Sequence, residues 1–250
     1  MKGFLEEYGL IIVVVAVILL MLLFGKTGYA KSIQDAILGS ADHIVETGEN
    51  IVPKPAKASD TIDIEGTKYV VLEERGGYKA LVMTANSIGS RKFQSSARSD
   101  GQNMSTYEGS ETDNYLENDW YNSLSSTMKT AIQRTSIKQV SYYDHLDTRR
   151  ETGYNGQVYN TITRHVFLPS VDEITKVVDL ESEDKVIAFG GFFWTRDSCR
   201  RYANGAATPY NGYGGLYCDE VDHFIRNTRP AFVIDLSQVN YKVSGHTDYK

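Results

Sequence analysis

The sequence predicts an α+β protein: one long apolar N-terminal helix, then a globular domain of mixed helices and strands. Three observations point there. The run from Leu10 to Phe24, LIIVVVAVILLMLLF, contains no polar residue. Between about Ile64 and Leu236, Val-, Tyr- and Leu-rich runs are bounded by Gly- and Ser-containing turns, as strands are. Within that stretch Leu124, Met128 and Ile132 recur at helical spacing.

The apolar run comes first. A helix rises ~1.5 Å per residue, so with its flanks the run just spans a hydrocarbon core of ~30 Å. Gly9 and Gly25 bracket it, and Glu6-Glu7 precede it. A cleaved signal peptide wants a positive n-region and small residues at the cut. Here Lys2 is offset by two glutamates, and Gly25-Lys26-Thr27 is a poor match. A plain membrane anchor and a packed stalk both stay open on these residues. Ile33, Ile37, Ile44 and Val45 then make an apolar stripe, with Lys31, Asp35, Asp42 and Glu46 between them. This predicts a helix running on to about Glu49, ended by Asn50 and by Pro53 and Pro55. The stripe packs either on its own domain or on neighbouring subunits. The predicted organisation is a helical segment over 1–52, a linker over 53–60, a binding domain over 61–243 and a flexible tail over 244–250.

Glu7 and Tyr8 give the stalk its chemistry. A carboxylate beside an apolar span is costly in lipid unless it finds a partner. GFLEEYGLIIVVVAVILL resembles the N-terminus of type IV pilins, especially the Tad/Flp branch, whose mature chains carry Glu-Tyr near their start. The resemblance implies Gly3 as the first mature residue and Glu7 as the partner of a neighbour's α-amino group. It also implies a homo-oligomer built through this helix into a surface filament. Lys2, where the family has a small residue, departs from the pattern.

Composition narrows the remainder. The chain has 250 residues and a net charge of −6 without a basic stripe, which excludes nucleic acid as a natural partner. Its two cysteines, Cys199 and Cys218, form a disulfide in an exported domain or remain two buried thiols. No Cys or His spacing predicts zinc, and no cofactor is expected.

The elements follow in order. TKYVVLEE, Thr67 to Glu74, and YKALVMT, Tyr78 to Thr84, predict a hairpin turned at Gly76-Gly77. The stretch from Ser87 to Gly109 is too polar for regular structure. Helices are predicted over 112–122, with Tyr115, Trp120 and Tyr121 on the apolar side, and over 125–134. Leu124, Met128, Ile132 and Ile137 mark the second buried face. Strands are predicted over 139–143 and 161–168. Ser170 caps a helix over 171–178, with Asp172 and Glu173 in its first turn. An apolar, Gly-interrupted run covers 186–194, and RPAFVIDL closes the domain as a buried strand.

The series YLENDWYNSL, VFLPSVDEI, FFWTRDS and TRPAFVIDL resembles an uncharacterised bacterial surface domain. Its W-x-R…R-P-A arrangement is also similar to C-type-lectin-like folds, including the formylglycine-generating-enzyme branch and the variable proteins of diversity-generating retroelements. That resemblance implies a C-type-lectin-like domain whose late loops bind a ligand. The loop segment between Arg196 and Arg229 carries Arg200, Tyr202, Asn204, Tyr210, Asn211, Tyr213 and Tyr217 among glycines. Tyr, Asn and Gly are the chemistry of adaptable binding surfaces. The alternative is a long loop whose tyrosines pack on the body.

Enzyme motifs are missing: there is no G-x-S-x-G, H-E-x-x-H or phosphate loop. Asp219, Glu220, Asp222 and His223 are read as a solvated acidic turn rather than a calcium site. The expected function is therefore display of a ligand-binding or adhesion domain at a bacterial cell surface. Its ligand is a protein or glycan, and its carrier is a pilus-like filament or, alternatively, a single-pass anchor.

Overall fold

A computed structural model describes residues 55–142, 157–199, 204–209 and 216–250. Residues 1–52, which hold the expected stalk with Gly3, Glu7 and Tyr8, form a separate unit and lie outside the described residues.

Among the described residues there are thirteen strands and four short helices, so the fold is mainly β, and the expectation of an α+β, C-type-lectin-like domain is corrected. No helix among them is long and apolar enough to cross a membrane. The transmembrane or pilin-like helix therefore has no counterpart in the described fold. One physical reason for the shift towards β is that β-branched residues on the supposed helical face sit in strands instead. Ile132 and Ile137 are buried in β-ladders rather than on a helix.

The first sheet begins with β1 (Asp60–Ile64), β2 (Thr67–Glu74) and β3 (Lys79–Thr84). Gly76 and Gly77 turn the predicted hairpin with φ of 79° and 59°, a loop matched to strand twist that L-residues rarely adopt. A two-residue strand β4 (Ser90–Arg91) interrupts the polar stretch that follows.

Helix α1 is continuous through Glu111–Asn114, a π-turn at Tyr115–Trp120, and Tyr121–Ser123. Ser110 caps it by accepting from Asp113 N. Helix α2 (Ser126–Ala131), capped by Ser125, stops earlier than predicted because Ile132 enters β5 (Ile132–Gln133). Strands β6 (Thr135–Tyr142) and β7 (Gln157–Arg164) pair antiparallel.

The predicted cap at Ser170 opens α3 (Val171–Ile174) with a full capping box: Glu173 N donates to Ser170 Oγ, and Ser170 N donates to Glu173 Oε2. Helix α4 (Glu183–Ala188) takes up part of the apolar run. Then come β8 (Ser198–Cys199), β9 (Gly205–Pro209), β10 (Leu216–Glu220), β11 (Arg226–Asn227), β12 (Ala231–Asp235) and β13 (Tyr241–His246).

The six-stranded sheet has order β13-β1-β2-β3-β12-β5, and the five-stranded sheet β10-β9-β8-β6-β7. Reciprocal hydrogen bonds between Phe167 and Ala231, 2.9 and 2.7 Å, link the segment after β7 to β12. One cluster of buried residues draws on both sheets. The domain is wider than expected at its C-terminus. Residues 244–246 extend β13 along β1, Asp179 N donates to Tyr249 O, and the Tyr249 ring packs on Phe189. The tail is therefore part of the fold.

Candidate functional site

The expected binding surface is only partly described. Arg200, Tyr202, Tyr210, Asn211 and Tyr213 lie outside the described residues. Asn204 is half-buried and its carbonyl accepts from Val221 N at 2.9 Å. Tyr217 is half-buried in β10 opposite Thr208. Cys199 and Cys218 are joined by a disulfide, with Cα atoms 6.0 Å apart, tying β8 to β10 across β9. Of the acidic turn, Asp219 is buried and accepts from Arg226 Nε at 2.6 Å and Thr208 Oγ1 at 3.1 Å. It works as an ion-pair partner inside the fold.

The motif segments are structural. Trp194 is fully buried, donates Nε1–H to Arg91 O at 2.8 Å, and meets Phe93 edge-on. Arg196, 3 % exposed, makes a two-pronged pair with Glu173 at 2.6 and 2.8 Å. It also donates to the carbonyls of Lys138 and Leu168. One guanidinium thus ties α3, β6 and the segment after β7 together. Arg229 is buried between Phe189 and Phe193 and donates to the Phe189 and Thr84 carbonyls. Gly190, at φ 110°, lets that guanidinium approach: a Cβ there would stand 2.9 Å from Arg229 Nη1.

Asp197 follows Arg196 and accepts from Val171 N at 2.6 Å and Val140 N at 3.3 Å. Burial pushes its carboxyl up to about 7, against the opposing pull of Arg196 and the Val171 N–H. A carboxyl raised in the folded state keeps a proton that the unfolded chain has already released. Its contribution to stability is therefore full below about pH 4 and is lost as pH rises toward 7. Glu173 behaves oppositely. Burial acts to raise it, but Arg196 and the Ser170 N–H bring it below the ordinary value, so its contribution is lost only in more acid solution. Urea melts of Asp197→Asn are expected to lack the decline between about pH 4 and 7 while keeping the acid-side loss. A native chain whose stability is flat over that window would show Asp197 already ionised.

The open site lies elsewhere, where β7 meets the polar stretch before α1. A cleft of about 420 Å³ is walled on one side by Arg98, Asp100, Gln102 and Thr106. Glu108, Gly109, Tyr159 and Asn160 complete it.

Arg98 is committed within this wall. Its Nε and Nη2 meet both oxygens of Asp100, and its Nη1 donates to Thr106 O at 3.0 Å. The Arg98 guanidinium, with the Gln102 N–H, holds the Asp100 carboxyl down to about 2. Gly109, at φ 72°, makes room, since a Cβ there would stand 2.9 Å from Arg98 Nη2. Gly109 N in turn donates to Asp113, which Arg164 grips through two nitrogens.

The opposite wall is set by a bulge in β7. Gln139 of β6 faces Asn160 while Val140 faces Val158, so Tyr159 is the extra residue. Bulges re-aim a side chain and recur beside functional sites. Tyr159 is 43 % exposed, yet its hydroxyl bonds the Ser198 side chain and the Tyr107 backbone. Burial of that end pushes the phenol above its usual value. Asn160 Nδ2 donates to Glu108 Oε2 at 2.6 Å, and Glu108 N donates to Gln139 Oε1 at 2.8 Å. The fully buried Gln139 leaves its Nε2 without a partner among the described residues. Residue types did not reveal this site, because its members are spread over sixty-three positions, from Arg98 to Asn160. A Tyr-Asn pair in an edge strand was the one available signal.

No group of acidic, His or Cys residues among the described residues is arranged to hold a metal ion. No curated protein and no solved structure matches the chain. One family profile does match, over residues 78–236, from the second strand of the hairpin to the end of β12. The chain therefore belongs to the family described as Domain of unknown function (DUF6273).

Proposed function

We propose that the chain is a binding protein displayed outside the cytoplasm at a bacterial cell surface, and that its domain recognises a ligand or a host surface without transforming it. The disulfide between Cys199 and Cys218 carries the reading, because such bonds persist in oxidising compartments and are rare where glutathione keeps thiols reduced. The apolar run from Leu10 to Phe24, ahead of a disulfide-bearing domain, supports export. Two sheets, one of them stapled by the disulfide, support an open polar cleft, which suits recognition, since binding residues gather on loops held by a rigid scaffold. The Tyr-, Asn- and Gly-rich sequence between Cys199 and Cys218 adds paratope-like chemistry beside the staple. The filament part of the expectation concerns residues outside the described fold, and the domain's role does not depend on it.

Intact cells expressing the full chain provide the test. A membrane-impermeant maleimide should label Cys199 and Cys218 only after an impermeant reductant has been applied. The purified full chain should bind whole bacterial or host cells saturably. Labelling without reductant, labelling only after lysis, or the absence of saturable binding would each overturn the reading.

A further inference from the structure

We infer that the cleft between Tyr159 and the 98–109 segment is the recognition site and that it takes a neutral carbohydrate, a ligand class that rests on the binding role proposed above. The cleft's volume, about 420 Å³, lies within the ~300–1,000 Å³ of small-molecule sites. Its lining departs from the usual apolar one, with seven polar or glycine positions and a single aromatic ring. That asks for a ligand that is polar over most of its surface and apolar on one face.

The charges argue against an anion. Each nitrogen of the Arg98 guanidinium already makes one hydrogen bond, to Asp100 or to the Thr106 carbonyl. An incoming anion would meet a cation whose charge Asp100 already offsets. Glu108 is held by the Asn160 amide rather than by a cation. What remains for a ligand is a set of neutral or accepting groups: the Gln102 amide, the Thr106 hydroxyl and the second oxygen of Glu108. A sugar hydroxyl donates and accepts at once, so vicinal hydroxyls match closely spaced amide and carboxylate edges. Gln139 supplies a second, independent observation. Its Oε1 accepts from Glu108 N, it stands opposite Asn160 in the β6–β7 ladder, and its buried Nε2 has no partner among the described residues. A buried donor left unpaired is costly, and this one adjoins two residues that line the cleft.

Tyr159 provides the apolar face. Tyr159 stands at the bulge and is 43 % exposed, while the bonds to Ser198 and Tyr107 hold its hydroxyl end. A ring fixed in this way loses little conformational freedom when a ligand stacks on it. Its negative π-face suits the weakly positive C–H face of a pyranose.

The test titrates the full chain with cellobiose, maltose, lactose and N,N′-diacetylchitobiose, using calorimetry and saturation-transfer NMR. A hyaluronan tetrasaccharide serves as the anionic comparison. At least one neutral disaccharide should bind. Asn160→Ala and Tyr159→Ala should each weaken that binding at least tenfold, whereas Tyr159→Phe, which keeps the ring, should weaken it less. Melting curves accompany each variant. Should Tyr159→Ala unfold, Asn160→Ala and Glu108→Gln carry the test, one at a half-buried and one at an exposed side chain. Binding of the anion alone, no binding of any neutral disaccharide, or binding that none of these variants alters would overturn the proposal. Saturable cell binding that persists while the disaccharides fail would refute the ligand class and leave the binding role standing. Failure of both would remove both.

Discussion

Arg196→Ala is expected to cost about 3–5 kcal/mol of folding stability, because it leaves the Glu173 carboxylate buried without its counter-charge. Arg196 and Glu173 are 3 % and 7 % exposed and share two short hydrogen bonds. Glu173 is also half of the capping box on α3, and the lost guanidinium would free the Lys138 and Leu168 carbonyls as well. Glu173→Ala should cost a similar amount. A double replacement by apolar residues of similar volume should cost much less than the sum, since no buried charge is then stranded. Urea denaturation followed by circular dichroism measures all three. A loss under about 1 kcal/mol for Arg196→Ala would mean that the pair is solvated, contrary to the burial observed.

Trp194→Ala should be comparably severe, at about 3–5 kcal/mol, from lost burial and the cavity left behind. Trp194 is completely enclosed and meets Phe93 at 5.7 Å between ring centroids. In a domain of this size the melting temperature should fall by roughly 10 °C. Trp194→Phe separates two contributions. It keeps most of the apolar contact but leaves the Arg91 carbonyl without its donor, a loss of about 1 kcal/mol. Equal effects from the two variants would show that the hydrogen bond, and not packing, is what the position requires.

Several local features were legible in the chain. The β2–β3 hairpin follows from two Val-, Tyr- and Leu-rich runs joined at Gly76-Gly77, and the Ser170 cap from Ser-Val-Asp-Glu ahead of an apolar residue. Helix α1, expected from Thr112 with Tyr115, Trp120 and Tyr121 on its apolar side, starts one residue earlier, at Glu111. The four motif segments were singled out, but for a ligand-binding fold. Of their residues, Arg196 meets Glu173 in the core, and Trp194 and Arg229 are buried there as well.

The errors have a common origin in contacts between distant residues. Ile132 and Ile137 have the spacing of a helical face, yet ladder partners on β12 and β7 hold them in strands. The C-terminal residues look like a polar tail, yet β1 offers its edge and Phe189 offers a ring. Strand propensity is largely packing and pairing, which a linear reading cannot see.

Residue chemistry alone settled the Gly76-Gly77 turn, the Ser170 cap and which cysteines were available to pair. Those are properties of a few neighbouring residues, set by φ restrictions and by short side-chain bonds to the backbone. Only the tertiary structure decided that Arg196 and Arg229 are buried supports, and that a bulge in β7 opens Tyr159 and Asn160 onto a cleft built from the 98–109 segment. Register and burial depend on every strand and loop that packs against a residue. Those partners lie tens of positions away and are brought together by folding, not by order along the chain.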